Sequence, residues 1–395
     1  MLAQRTRLFE MSGTAAARAA AKAADAGKEI VDLTAGEIWS ELAPAIREGA
    51  IDAINKGVNR YTDTIGMMEL REALARMVSI ETGQRWRADE IAVTSGAKQA
   101  LFNVVMTLIN PGDQVIIPAP YWASFPAQVQ IAGGTPVHLD TRGNGYVPRI
   151  DDIERVITPL TRAIVVNTPG NPSGAVYDAA TLAAIARLAI ERKLWIIFDE
   201  CYGSFTYNGH EHHPIVSLVP EVRAWTVIVN AFSKSLALTG WRIGYLAAPK
   251  ELISAVKALQ SHTTSNPNVV AQHAVLRHLD EGDGAFEAGL RGQLTTARQT
   301  GLTVLSGLQR VQVPKAQGGF YFYLDLSSLL RPTPGDSHAK TADDIVAALL
   351  REAGVAGVSG NAFGDPMGLR LSYGIPPEQL KAGLGRLVGV LNAWD

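Results

Sequence analysis

Cysteine is almost missing from this chain of 395 residues: Cys201 stands alone, so no intrachain disulfide can form, and a reducing compartment is the natural setting. Long apolar runs are missing as well; none approaches the roughly eighteen residues that span a bilayer. Neither sign of charge is in surplus. A formal net charge of -2 argues against a nucleic-acid surface and against an acidic solvating tail. No internal repeat or low-complexity tract is visible. A dinucleotide fingerprint is lacking too, because Gly143-Asn144-Gly145 reads as a turn with no helix behind it. His210, His212 and His213 crowd one polar stretch beside Gly209 without the spacing of a metal site, which predicts a solvated loop and no bound metal. Near the start, Arg5, Arg7, Arg18 and Lys22 lie among alanines in the manner of a transit peptide. Glu10 and Asp25 break that pattern and no apolar core or cleavage site follows, so an amphipathic helix over residues 14–26 and a cytoplasmic protein are expected.

What the chain does have is alternation. From about Pro44 to Asp280, helical stretches alternate with short apolar runs at 91–94, 114–118, 135–139, 163–167, 194–199, 226–230 and 243–247. Strands separated by amphipathic helices read as βαβ units around a mostly parallel sheet with helices on both faces. Ser95-Gly96-Ala97-Lys98 marks a strand-to-helix junction, and Pro111-Gly112-Asp113 and Pro169 to Gly174 are turns. Beyond Gly284 a long helix to about Leu308, the aromatic strand Gly318 to Leu324, a helix over 342–353 and a strand over 368–372 predict a smaller α+β domain. The division expected is 1–42 for an N-terminal arm with part of the small domain, 43–284 for the large domain, and 285–395 for the small C-terminal domain.

The most informative segment runs from Asn230 to Gly244. Lys234 sits between Ser233 and Ser235, directly after the apolar run Trp225 to Val229, and Arg242 follows eight residues later. A lysine at the end of a buried strand loses hydration as an ammonium, so its pKa falls and its amine becomes nucleophilic, as a Schiff-base lysine requires. The hydroxyls and the guanidinium fork suit a phosphate. An amine beside a phosphate clamp is the pairing that pyridoxal 5′-phosphate calls for.

This segment resembles the lysine motif of class I/II aminotransferases of fold type I, most closely the bacterial aspartate and aromatic aminotransferase branch, with Ala231 where that family usually has Gly or Ser. The likeness runs from Ser12 to about Val390. It implies an active site between two lobes and across a homodimer interface, with no nucleic-acid or membrane partner.

Asp199 ends the run Trp195 to Phe198 and points into the crevice at the strand ends, where it would keep the cofactor's ring nitrogen protonated. Tyr202 lies three residues on, placed to donate to the ring oxygen, and the family pattern puts Asn171 on the same oxygen. Gly96, Ala97 and Lys98 open a helix whose free N–H groups make a phosphate seat, shared with Ser233 and Arg242. Trp122 resembles the aromatic that stacks on the ring, and Tyr61 a tyrosine that reaches the neighbouring subunit's phosphate. Arg370, inside the apolar strand Gly368 to Ser372, needs an anion. The resemblance implies the substrate α-carboxylate, with the Gly36 backbone and Asn171 assisting.

Together these residues imply a ping-pong aminotransferase with amino acid and 2-oxo acid substrates. A lyase, synthase or racemase would use the same parts. The family's usual Gly-Glu-Pro-Asp-Phe is replaced here by Gly36-Glu37-Ile38-Trp39-Ser40, which puts Trp39 and a serine at the substrate entrance. Lys98 matches a lysine that pairs with the distal carboxylate of acidic substrates in this branch. Aspartate or glutamate, with 2-oxoglutarate or oxaloacetate, is therefore expected, and aromatic donors or prephenate are the alternative.

Overall fold

The computed structural model describes residues 2, 6, 11–24, 29–330 and 341–394. Twelve strands are named in chain order: β1 (Val31–Asp32), β2 (Ile91–Thr94), β3 (Gln114–Ala119), β4 (Thr135–Asp140), β5 (Thr161–Asn167), β6 (Trp195–Asp199), β7 (Thr226–Ala231), β8 (Gly244–Ala247), β9 (Tyr321–Asp325), β10 (Val355–Ala356), β11 (Val358–Ser359) and β12 (Gly368–Ser372). The seven strands β2 to β8 form one sheet in the order β2-β8-β7-β6-β5-β3-β4. β8 runs against both of its neighbours, and the other pairings are parallel.

The apolar runs explain why this sheet is buried on both faces. Successive side chains of a strand point to opposite sides. Ile196, Phe198 and Ile228 accordingly join a core that includes Leu182 and Ile185 of the helix Ala179–Arg192. Ile197, Val227 and Val229 join a core on the other face with Leu101 and Val104 of the helix Ala97–Leu108 and with Ile253 and Val256 of the helix Lys250–Ser261. With both faces covered, the open positions lie beyond the strand ends. Thr94, Asn167, Asp199 and Ala231 all end their strands there.

A second core forms around the antiparallel sheet β11-β12-β9 and the helices Ala285–Leu305 and Pro377–Asn392. β1 pairs in parallel with β10, and Val31 and Leu33 bury themselves in this core, so residues before the large sheet complete the smaller α+β unit. Tyr202 and Ala231, from the large sheet's strand ends, also belong to this core. The two units therefore meet at the ends of β6 and β7. The N-terminal helix spans Gly13–Ala24, against the expected 14–26, whose last residues lie outside the described ones. The helix expected over 342–353 is α-helical only over Ala342–Ala348 and widens into a π-turn at Leu349–Ala353.

Candidate active site

A cavity of about 360 Å³ opens at the C-terminal ends of β2, β5, β6 and β7, and β12 of the smaller unit closes one wall. Lys234 reaches it because β7 gives way to a single helical turn, Phe232–Ser235. Its ammonium donates to the Gly36 carbonyl. Burial, with Arg370 and Arg242 nearby, holds its pKa down to about 8 against the opposing pull of Cys201 and Glu37.

Asp199 is 5% exposed. Its Oδ1 accepts the Cys201 N–H at 3.1 Å. Burial pushes its carboxyl up to about 6, with the Cys201 N–H pulling the other way. Beside it the Tyr202 hydroxyl lies 2.9 Å from the Tyr321 hydroxyl, and the Asn171 amide donates to Tyr202 at 3.4 Å. Asn171 is oriented from both ends: its N–H donates to Asn167 Oδ1 at 2.9 Å, and its own Oδ1 accepts from Arg370 Nη1 at 3.1 Å.

Arg370 is the largest fully buried side chain among the described residues, at 1% exposure. Nη2 donates to the Thr34 carbonyl at 2.7 Å and to Thr14 Oγ1 at 3.4 Å. Its guanidinium lies 4.6 Å from the Tyr321 ring centre and 4.9 Å from that of Phe363. Nε has no partner, and among the described residues no carboxylate comes within ion-pairing distance. Neutral carbonyl and amide partners leave a full positive charge in a buried wall, and an anion would satisfy it.

The opposite wall is the start of the helix Ala97–Leu108. Gly96 takes φ +78°, and a Cβ there would stand 2.8 Å from Arg242 Nη2, so glycine is required both for the turn and for the close approach of the guanidinium. Arg242 Nη1 donates to the Thr239 carbonyl at 3.0 Å and Nη2 to that of Ser95 at 3.3 Å. The N–H groups of Ala97 and Lys98 fall in the first turn, where no intrahelical acceptor exists. Ser233 completes this side of the cavity. The Lys98 ammonium sits 5.0 Å from the Trp122 ring centre, and burial, then Arg242, lowers its pKa.

Pyridoxal 5′-phosphate fits this donor set. A lowered amine suits its aldehyde, a buried carboxyl its ring nitrogen, and a helix start with an arginine and a serine its phosphate. Lys234, Asp199, Asn171, Tyr202, Gly36, Ala97, Lys98, Trp122, Ser233, Arg242 and Arg370 all line the one cavity. Gly96 is not among the lining residues but precedes Ala97 at the helix start and lies against Arg242.

Two expected residues do not join them in this chain. Trp39 is 61% exposed and outside the cavity, because its backbone pairs with the Gly374 carbonyl and the Gln293 side chain and turns the ring outward. Tyr61 is 88% exposed on the surface. The solvated loop expected around His212 also differs: His212 packs on Phe198 and meets the buried Glu200 carboxylate at 3.0 Å. Conversely, the cavity includes Thr14, Arg18 and Tyr321, which sequence reasoning did not single out. Tyr321 had a signal in the aromatic alternation of β9, and Arg18 stood among the N-terminal cations.

Residues 28–387 match the aminotransferase class I and II family. The chain is 37% identical over 399 residues to the aspartate aminotransferase of Geobacillus stearothermophilus, with 99% of each covered. It is 39% identical over 399 residues to the aspartate/prephenate aminotransferase of Thermus thermophilus, again with 99% of each covered. The solved structure of aspartate aminotransferase from Thermus thermophilus with maleate matches with a TM-score of 0.92 at 37% identity, over 99% of both chains. With a lysine, a carboxyl and an anion seat converging at the strand ends, and with likeness along its whole length, the chain belongs to the class I and II aminotransferases, enzymes of fold type I that depend on pyridoxal 5′-phosphate.

Proposed function

We propose that this aminotransferase works on dicarboxylic L-amino acids, aspartate or glutamate, with 2-oxoglutarate or oxaloacetate as acceptor. The observation that carries this reading is a pair of cations in one cavity, Arg370 and Lys98, neither with a carboxylate partner among the described residues. A substrate with two carboxylates satisfies both. Arg370 takes the α-carboxylate as a planar fork, helped by Asn171. Lys98 takes the distal one.

When bound, the cofactor supplies an aldehyde for the substrate amine and an electron-poor ring that accepts the electron pair left as the Cα–H bond breaks. With the cofactor bound, the Lys234 amine would hold its aldehyde and, when free, would take the Cα proton on Nζ. Its lowered pKa leaves a useful neutral fraction near pH 8. Asp199 would keep the ring nitrogen protonated, Tyr202 and Asn171 would hold the ring oxygen, and Trp122 would cover the ring. The backbone of Gly96, Ala97 and Lys98, with Ser233 and Arg242, would hold the phosphate, which leaves the Lys98 ammonium for the substrate.

Exposed Tyr61 serves the phosphate of a second copy in a homodimer, a reading supported by Ile51, Ile54 and Met68, which are also exposed on the two helices that flank its loop, Pro44–Asn55 and Met68–Thr82. The two separate cores support domain boundaries at 42/43 and 284/285. The unpaired thiol of Cys201 favours the cytoplasm.

Trp122 favours a second reading, aromatic donors or prephenate, since its ring lies in the substrate wall. Half-reaction rates for a panel of amino acids, followed by the change in cofactor absorbance, decide between them. Aspartate and glutamate faster than phenylalanine and tyrosine supports the dicarboxylic reading, and the reverse order replaces it.

A further inference from the structure

We propose that Arg18 is a specificity residue of the substrate cavity, exchanging its ion pair with Glu37 for one with the distal carboxylate of a dicarboxylic substrate. The inference rests on the dicarboxylic reading above and adds a cation from the N-terminal helix.

Arg18 lines the cavity from the helix Gly13–Ala24, which also contributes Thr14 and Ala15. Thr14 and Arg18 are four residues apart and share a helix face, with their backbones about 6 Å apart along the axis. Thr14 Oγ1 is 3.4 Å from Arg370 Nη2. A substrate whose α-carboxylate lies on Arg370 therefore starts beside Thr14, and when it extends along this helix its far end reaches the level of Arg18 one turn on. That offset matches the span of a four- or five-carbon diacid.

The present partner of Arg18 is easily given up. Arg18 Nη2 meets Glu37 Oε1 at 3.0 Å, with the side chains 49% and 42% exposed. An ion pair this wet is weak. Glu37 keeps a second partner when Arg18 leaves, because Thr239 Oγ1 donates to its other oxygen at 3.2 Å. A distal carboxylate meets the Lys98 ammonium as well as Arg18, two cations of one cavity, whereas Glu37 has Arg18 and the Thr239 hydroxyl, so the exchange favours the substrate. A monocarboxylic aromatic substrate offers Arg18 nothing and leaves the Glu37 pair intact.

The test uses the holoenzyme with two readouts: kcat/KM for aspartate against phenylalanine, and the Kd of succinate, a dicarboxylate without an amine, by calorimetry. In Arg18→Gln the aspartate-to-phenylalanine ratio should fall about five- to tenfold and succinate should bind about five- to tenfold more weakly. Arg18→Lys should recover part of both. Glu37→Gln should tighten succinate binding, because the competing carboxylate is gone. Equal loss for both amino acids with unchanged succinate affinity would make Arg18 a structural residue and overturn the proposal. A wild-type enzyme that prefers phenylalanine would refute the dicarboxylic reading, and the succinate measurement would still decide whether Arg18 binds the second carboxylate.

Discussion

Replacing Asp199 with asparagine should make the cofactor-free protein more stable while disabling the enzyme. The carboxyl ordinarily ionises near 3.8, and burial at the end of β6 raises it to about 6 in the folded chain. Below pH 3.8 both states are protonated and the difference vanishes. As pH rises, the unfolded chain loses this proton first, so folding is progressively disfavoured until the folded group also ionises near 6. Above that, a gap of about two pKa units corresponds to about 3 kcal/mol against the fold. Asparagine has no charge to desolvate, and its side-chain oxygen can still accept the Cys201 N–H. In urea titrations of the cofactor-free protein, the stability gain of Asp199→Asn over wild type should therefore grow from below 1 kcal/mol near pH 4 to about 3 kcal/mol near pH 7. The same variant with cofactor should lose activity by about a hundredfold or more, because a neutral amide cannot hold the ring nitrogen protonated. A gain that does not depend on pH, or a loss of stability at pH 7, would refute the argument, as would near-normal turnover.

Arg370→Ala should lower kcat/KM for every amino acid by about a hundredfold, the loss of charge-assisted bonds to the α-carboxylate, with cofactor absorbance retained. A loss confined to dicarboxylic substrates would move Arg370 to the side-chain pocket. Lys98→Ser should cut kcat/KM for aspartate and glutamate by about ten- to a hundredfold and change aromatic substrates far less. If both classes fall together, Lys98 serves the phosphate or the fold.

The sheet was legible because its central strands are apolar runs, as in Trp195–Asp199 and Thr226–Ala231, set between helical stretches. The expected run 135–139 became Thr135–Asp140, and 226–230 became Thr226–Ala231. The reversal of β8 was not legible, since a four-residue apolar strand carries no mark of its direction. Trp225 was expected in a strand but ends a 3₁₀ turn that opens at Pro220. Lys234, Asp199 and Gly96 could be placed because each stands where a strand ends, and an α/β sheet gathers its strand ends on one side. Thr14 and Arg18 sit on a helix whose sequence shows an amphipathic face but not the surface it meets. Trp39 fell in an irregular segment, and its backbone pairs with Gly374 and the Gln293 side chain, both far away in sequence.

Every role proposed for the cavity depends on Lys234 being the amine that carries the cofactor. Borohydride reduction of the holoenzyme, followed by proteolysis and mass mapping, tests this directly. Reduced pyridoxyl label on the peptide containing Lys234, and loss of that label in Lys234→Ala, is the result predicted. Label on Lys98 or any other lysine, with Lys234 unmodified, would contradict it.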